Sequence, residues 1–333
     1  MVTKAMIMSA GVGSRLDPLT KEIPKPLVPI ANIPTMDILL NHLAKFGINN
    51  VIANTHYLGE QIQRRYSEGS PNKTNFSFVH EETLSGTAGG VKKCQFFFDD
   101  KEDFLVLSAD GLTELDLDKA IESHIKSNCI ATMVTKEIDK SEVNKFGVVV
   151  TDESGFIKEF QEKPSVEEAK SNLINTGIYI FKYDIFKYIP ENTVFDFAKN
   201  LFPLLLENNI KINTYTTSKY WSDIGSISQY IESTVDILTQ KLNIPEINIE
   251  NSDDFSLIKD ESAIIEKNSK IKGNCIIGKK SKISENAHVE NSILWDNVVV
   301  DKNVSIKNCV IASNCTIKKS ISNKIVEANS IIN

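Results

Sequence analysis

The sequence predicts an α/β domain over residues 1–240 built on a mixed, mainly parallel sheet. A linker over 241–260 and a short parallel β-helix over 261–333 follow. Two observations carry this reading. As far as residue 240, apolar strand-like runs alternate with amphipathic segments, and strand–helix–strand alternation builds a largely parallel sheet covered by helices. Further on, apolar residues recur every six positions at Ile265, Ile271, Ile277, Ile283 and Val289. That period fits neither a helix nor an alternating strand, but it fits stacked coils of parallel strands.

In chain order, the strand candidates are "AMIMSA" (5–10), "NNVIANT" (49–55), "NFSFVH" (75–80), "DFLVLSAD" (103–110) and "CIATMVT" (129–135). The stretch 35–47 reads as a helix, because Ile38, Leu39, His42, Leu43 and Phe46 recur at helical spacing and Gly47 supplies a stop. His42 on that apolar stripe reads as structural. Residues 241–260 are polar and without periodicity, which is linker texture. In the tail the six-residue frame slips after Val289 and resumes at Val298, Val304 and Val310, with Ile311 and Ile317 one step off. Leu294 and Trp295 sit at the slip, where they mark either a contact surface or a core position.

The bulk composition narrows the function. The formal net charge of -7 argues against nucleic-acid and anionic-membrane partners, which need concentrated Lys and Arg. The five cysteines are odd in number and include no Cys-x-x-Cys, so neither a disulfide framework nor a zinc site is indicated. Reduced thiols in a cytoplasmic protein are expected. No apolar run reaches the roughly 20 residues that span a bilayer.

The stretch "SAGVGSRLDPLTKEIPKPL" (9–27) carries the chemistry. Gly11 and Gly13 let the chain turn and bring backbone N–H groups close to an anion. A helix starting near Ser14 adds a favourable partial charge, and Arg15 and Lys25 add full ones. The string is neither the Walker A pattern nor the dinucleotide fingerprint, since Leu16 stands at the third glycine position. A Gly-x-Gly pair alone marks a structural turn more often than a site. The whole string with Arg15 and "PKPL" is much more specific.

"AGVGSRLDPLTKEIPKPL" resembles the signature of sugar-1-phosphate nucleotidyltransferases, the NDP-sugar pyrophosphorylases. "LSGTAGG" (84–90), "SADG" (108–111), "FGVV" (146–149), "EKP" (162–164), "NTGIY" (175–179) and "WSDIG" (221–225) resemble the family's later motifs in order. Glycine use agrees. The chain has only 15 glycines, below the usual ~7%, and Gly11, Gly13, Gly86, Gly89, Gly90 and Gly225 all fall in these motifs. The resemblance implies a Rossmann-like catalytic domain with a left-handed β-helical tail.

It also implies a reaction in which a sugar 1-phosphate oxygen attacks the α-phosphorus of a nucleoside triphosphate and expels pyrophosphate. The attacker is already an anion, so catalysis is positioning and charge neutralisation with no protein nucleophile. By the resemblance, Asp110 and Asp223 hold Mg2+. Arg15 and Lys25 contact the triphosphate, and Lys163 binds the sugar phosphate. Ala10, Gly11, Gly13, Glu81, Gly86 and Thr87 line the nucleotide, while Gly147, Glu162 and Asn175 meet the sugar. In "HEET", Glu81 and Glu82 stand where the family reads the base. A carboxylate suits guanine, whose pairing edge offers two adjacent donors. With the Gly-Thr-Ala-Gly form of the loop, this favours GTP and mannose 1-phosphate, the alternative being a glucose-1-phosphate enzyme using dTTP, UTP or ATP.

Three departures from the family pattern stand out. Ser14 replaces a Thr, Ala109 replaces the Gly before Asp110, and Asp17 stands where many relatives have Arg. Two further readings remain open, a non-catalytic regulatory subunit and a tail that transfers acyl groups. The presence of Arg15, Lys25, Asp110, Lys163 and Asp223 opposes the first. The shortness of the tail and its lone His288 oppose the second. A homo-oligomer is expected; the open edges and faces of the β-helix are covered either by packing on the catalytic domain or by another subunit.

Overall fold

The structure is a computed structural model and describes residues 2–67 and 69–333. The chain divides into two units, Met1–Gly11 with Leu39–Ser222, and Val12–Ile38 with Asp223–Asn333. Neither unit is a continuous piece, so the division does not follow the change of texture at residue 240.

The first unit is built on a nine-stranded sheet. Its strands are β1 (Lys4–Met8), β2 (Asn50–Thr55), β3 (Asn75–His80), β4 (Phe104–Ser108), β5 (Ala131–Glu137), β6 (Gly147–Thr151), β7 (Ile157–Glu162), β8 (Leu173–Phe181) and β9 (Ile212–Thr217). One half is parallel: β1 lies between β2 and β4, and β2 pairs with β3. The other half turns antiparallel at β8, which pairs with β4, β5 and β6. All five strands read from the sequence are present. The missed strands β6, β7, β8 and β9 lie mostly in the antiparallel half.

Helices in chain order are α1 (Thr35–Lys45), α2 (Gly59–Ser67), α3 (Gly86–Lys93), α4 (Leu117–Ser127), α5 (Phe202–Glu207) and α6 (Ile227–Leu238). α4 shows why such segments stop and start. The Asp116 side chain caps the Lys119 N–H at 3.2 Å, and Asn128 closes the helix in the left-handed region. The core of this unit mixes aliphatic residues with a group of packed aromatic rings, among them Phe98, Phe104, Phe181, Phe197 and Phe202, all at most 2% exposed.

The second unit carries the β-helix. One row of parallel strands runs Ile264–Ile265, Lys282–Ile283, Val299–Val300, Thr316–Ile317 and Ile331–Ile332, and two further rows share the long strand Lys270–Ile277. Asparagines at the corners, among them Asn297, Asn314 and Asn329, take positive φ. Their amides bond from coil to coil at 3.0 and 3.1 Å.

Two expectations are corrected here. Phe255–Lys259, within the stretch read as linker, is a strand paired in parallel with Gly273–Ile277, and it buries Leu257 and Ile258. Polar neighbours hid it. After the slip, the inward ladder continues through Leu294, Val300, Ile306, Ile311 and Ile317, each opposite a residue of the preceding coil. Ile311 and Ile317 are therefore in frame. Val298 and Val304 fill a second inward position in the same core. Val310 lies outside the coil, lining an apolar cavity of about 290 Å³ with Ile231, Thr234 and Val235 of α6.

Trp295 and α6 are joined in this unit. Trp295 is 4% exposed, and its Nε1 donates to the Tyr230 hydroxyl at 2.8 Å. All five cysteines are free and buried. Among the described residues, no helix is long and apolar enough to cross a membrane.

Candidate active site

In the second unit residues 12–27 of the signature stretch fold tightly without an α-helix. The helix expected near Ser14 is present only as one 3-10 turn, Ser14–Leu16, too short to build up a helix dipole. Two prolines, Pro18 and Pro24, follow closely and leave no room for a longer helix. Gly13 has φ 74°, and a Cβ there would lie 3.0 Å from the Cβ of Lys25. Glycine at this place both makes the turn and lets Lys25 lie against the loop. The Thr20 hydroxyl stands 3.0 Å from the Gly13 carbonyl and 2.9 Å from Asp17 Oδ1, bracing the loop from inside. Asp17 is thereby turned to a structural task.

The motif around Asp223 lies in the same unit. Ser226 caps α6 and its hydroxyl accepts from Gln229 N at 3.3 Å, while Gln229 Nε2 donates to Asp223 Oδ1 at 2.6 Å. A Cβ on Gly225 would stand 2.7 Å from Asp223 Oδ2 and 3.4 Å from Arg15 Nη2. Arg15 and Asp223, 208 positions apart in the chain, thus flank one glycine. Gln229 was missed by sequence reasoning, although Ser226-x-x-Gln229 after "WSDIG" is a capping-box spacing.

The first unit holds the rest. Strand register places the expected sugar residues together: Glu162 pairs with Gly147, and Ile174 pairs with Val148, so Asn175 follows on the same edge. Asn175 stands where β8 loses register with β5. Its Oδ1 accepts from Gly177 N at 2.9 Å, and its Nδ2 donates to the Tyr179 hydroxyl at 2.8 Å. Lys163 follows β7 in the left-handed region, exposed, with its Nζ 3.9 Å from Glu162 Oε1. Asp110, half-buried, follows β4. Ala109 beside it donates its N–H to the Met8 carbonyl at 3.1 Å, tying the end of β4 to the end of β1, just ahead of Ala10 and Gly11.

Glu81 departs from expectation. It is 1% exposed. Its Oε1 accepts from Asn54 Nδ2 at 2.7 Å, and its Oε2 accepts from Ser85 N at 3.1 Å, Lys93 Nζ at 3.0 Å and the Ser85 hydroxyl. These bonds hold its pKa below the usual carboxylate range although burial pushes it up. Asn54 Oδ1 in turn accepts from Ser9 N at 2.9 Å. The carboxylate is spent inside the protein on fixing β1, β2 and the glycine loop, so the assignment of Glu81 to base reading is withdrawn. Glu82 is exposed. The glycine loop itself begins α3: Gly86 has φ 76°, and a Cβ there would meet the Phe195 carbonyl at 2.6 Å.

Residues 4–240 match the family described as "Nucleotidyl transferase", and residues 255–332 match that described as "GMPPB C-terminal domain". The chain belongs to the sugar-1-phosphate nucleotidyltransferase family. This nucleotidyltransferase is 35% identical over 323 residues to a UTP–glucose-1-phosphate uridylyltransferase of Synechocystis, with 88% of the chain and 83% of the relative covered. It is 26% identical to a mannose-1-phosphate guanylyltransferase of Mycobacterium tuberculosis, covering 88% of the chain and 80% of the relative. Its fold is similar to that of a UDP-glucose pyrophosphorylase from Acinetobacter baumanii, with TM-score 0.64 and 21% identity over 74% of the chain and 95% of that structure. The enzyme class and the catalytic fold expected from the motifs are thus the ones found, and a second, β-helical part follows them.

Nucleotidyltransferases of this family use a divalent cation. Asp110 and Asp223 are half-buried carboxylates, the hard oxygen donors Mg2+ takes, and an ion that keeps several waters needs only one or two. Among the described residues, no three His, Cys, Asp or Glu side chains gather as a protein cage.

Proposed function

We propose that this nucleotidyltransferase joins GTP and mannose 1-phosphate into GDP-mannose and pyrophosphate. One sugar-phosphate oxygen forms a bond to the α-phosphorus, the bond from that phosphorus to the β-phosphate oxygen breaks, and pyrophosphate leaves with the electron pair. The observation that carries the reaction is that Arg15 and Asp223 both lie against Gly225, and Lys25 lies against Gly13. Cationic side chains and a carboxylate on a tight loop suit a crowded polyanion and its counter-ion.

In this reading Arg15 and Lys25 neutralise the triphosphate, and the backbone at Ala10, Gly11 and Gly13 lies along it. Lys163 holds the sugar phosphate, and Glu162, Asn175 and the backbone at Gly147 orient the hexose. Gly86 and Thr87 lie beside the base and ribose. Asp110 and Asp223 are the carboxylates for Mg2+, which when bound supplies charge neutralisation to the phosphates. No side chain is required to form a covalent intermediate.

Two observations support guanine and mannose: the Gly-Thr-Ala-Gly form of the loop (86–89) and the relatedness to the M. tuberculosis guanylyltransferase. A second reading, UTP with glucose 1-phosphate, is favoured by the higher identity to the Synechocystis uridylyltransferase. A matrix of five nucleotides against mannose, glucose and galactose 1-phosphates, read by pyrophosphate release with and without Mg2+, decides between them. GTP with mannose 1-phosphate is expected among the best pairs, and its absence from them overturns the specificity.

We further propose a cytoplasmic homo-oligomer. The unpaired buried thiols suit a reducing compartment. Ile264 and Ile331, 56% and 60% exposed, stand at the two ends of one row of the β-helix, where a second copy would cover them.

A further inference from the structure

With Glu81 committed inside the protein, a different carboxylate stands at the glycine loop. Segment 193–197 is strapped to that loop by two backbone bonds: Gly89 N donates to the Phe195 carbonyl at 2.9 Å, and Phe195 N donates to the Ser85 carbonyl at 2.8 Å. The strap delivers Asp196. Its Oδ1 accepts from the Thr87 hydroxyl at 3.2 Å, and that hydroxyl accepts from Phe197 N at 2.8 Å. Asp196 N is bonded to Asn200 Oδ1 at 2.9 Å, so the residue is held from both sides. Its Oδ2 would lie 3.1 Å from a Cβ placed on Gly86. Among the described residues, no protein donor is bonded to that oxygen. Asp196 is half-exposed and Thr87 exposed, so the pair can be reached from solvent.

We propose that Asp196 is a specificity-determining residue of the nucleotide subsite: its carboxylate accepts from the donor edge of the base, and guanine is the base it suits. The inference rests on the reading of Gly86 and Thr87 as nucleotide-binding. Guanine sets N1–H and N2–H2 side by side, two donors for one carboxylate. Uracil and thymine offer one N–H between two carbonyls, which a carboxylate repels. Adenine puts an acceptor beside its amino group. A fixed negative acceptor therefore both attracts guanine and rejects the others.

Asp196→Asn is the test, because the amide keeps an oxygen for Thr87 and replaces the other acceptor by a donor. The readout is kcat/KM for GTP, UTP, dTTP and ATP, with mannose and glucose 1-phosphates, in wild type, Asp196→Asn and Asp196→Ala. The GTP:UTP ratio is expected to fall about tenfold or more in Asp196→Asn. A merely structural role would lower all nucleotides together and leave the ratio alone. A ratio constant within about twofold in both variants overturns the proposal. So does a shift confined to the ratio of the two sugar phosphates, which would place Asp196 at the hexose. If wild type prefers another nucleotide, the guanine reading of the enzyme fails on its own. A nucleotide ratio still moved by Asp196→Asn then keeps the residue at the base. Should Asp196→Asn fail to fold, Asp196→Ala, which also removes the acceptor, supplies the same ratio, and a fall of about tenfold is again expected.

Discussion

The Tyr230 hydroxyl is shared between two distant parts of the chain: it accepts from Trp295 Nε1 at 2.8 Å and donates to the Pro29 carbonyl at 2.9 Å. Pro29 follows the "KPL" turn that presents Lys25. The β-helix, α6 and the signature stretch are thus joined in one unit through a fully buried phenol. Asn32 Nδ2 to the Ile277 carbonyl, at 3.1 Å, and the exposed Lys21–Glu327 pair tie the same parts.

Tyr230→Phe leaves the indole N–H and the Pro29 carbonyl without a partner. A buried polar group left unpaired costs about 1–3 kcal/mol. The variant is expected to lose stability on that scale in chemical denaturation. Removal of Lys21 or Glu327 is expected to change stability much less, because that pair is solvated. Equal effects from the two substitutions would contradict the importance given to the buried phenol.

Glu81→Ala is expected to destabilise the first unit without altering base preference. It would strip Asn54 and Ser85 of their acceptor and leave Lys93 only the Thr83 carbonyl at 3.3 Å. Removing one partner from such a buried charged network costs on the order of 3 kcal/mol. Unfolding measurements and the nucleotide ratios, taken on one preparation, separate this from base reading. A large change in the GTP:UTP ratio with normal stability would return Glu81 to the substrate.

Burial lowers the pKa of His42 from 6.5 to about 4, with Lys45 adding to the shift and a hydrogen bond to the Leu115 backbone opposing it. The folded imidazole stays neutral where the unfolded one takes up a proton. Its contribution to stability is therefore fully present above pH 6.5 and is lost as pH falls from there towards 4, by up to roughly 3 kcal/mol. His42→Leu is expected to flatten the decline of stability between pH 7 and 5. An unchanged slope would show that the imidazole titrates normally.

Asp110→Asn is expected to reduce turnover by on the order of a hundredfold or more, with thermal unfolding unchanged, since an amide is a poor ligand for a hard cation. Excess Mg2+ is expected to restore little. Near-normal pyrophosphate release in this variant would remove Asp110 from the metal-binding pair.

Local pattern was enough for the five strands read from the sequence, for α1 and for the first five rungs of the β-helix ladder. Each is encoded by the spacing of apolar residues within one segment. The site motifs were legible because glycine, lysine and carboxylate stand at short fixed distances in the chain. What the sequence could not show depends on partners far along it. The strands β8 and β9 are defined by pairing with β4 and β5, far along the chain, whereas β6 and β7 form a local hairpin whose residues show no clear alternation.

Glu81 and Asp196 show the same division. Both are carboxylates next to short apolar runs, Glu81 after "FSFV" and Asp196 within "VFDFA", and nothing local tells their tasks apart. Asn54 and Lys93 close on the first, while the strap at Phe195 carries the second, 109 positions after Thr87, to the glycine loop. Residue type and spacing determined that this protein has a phosphate-handling loop, an α/β sheet and a stacked tail. Only the tertiary structure decided which charges are consumed in holding that framework and which are left for substrate, because desolvation and hydrogen bonding are settled by neighbours that the linear order does not reveal.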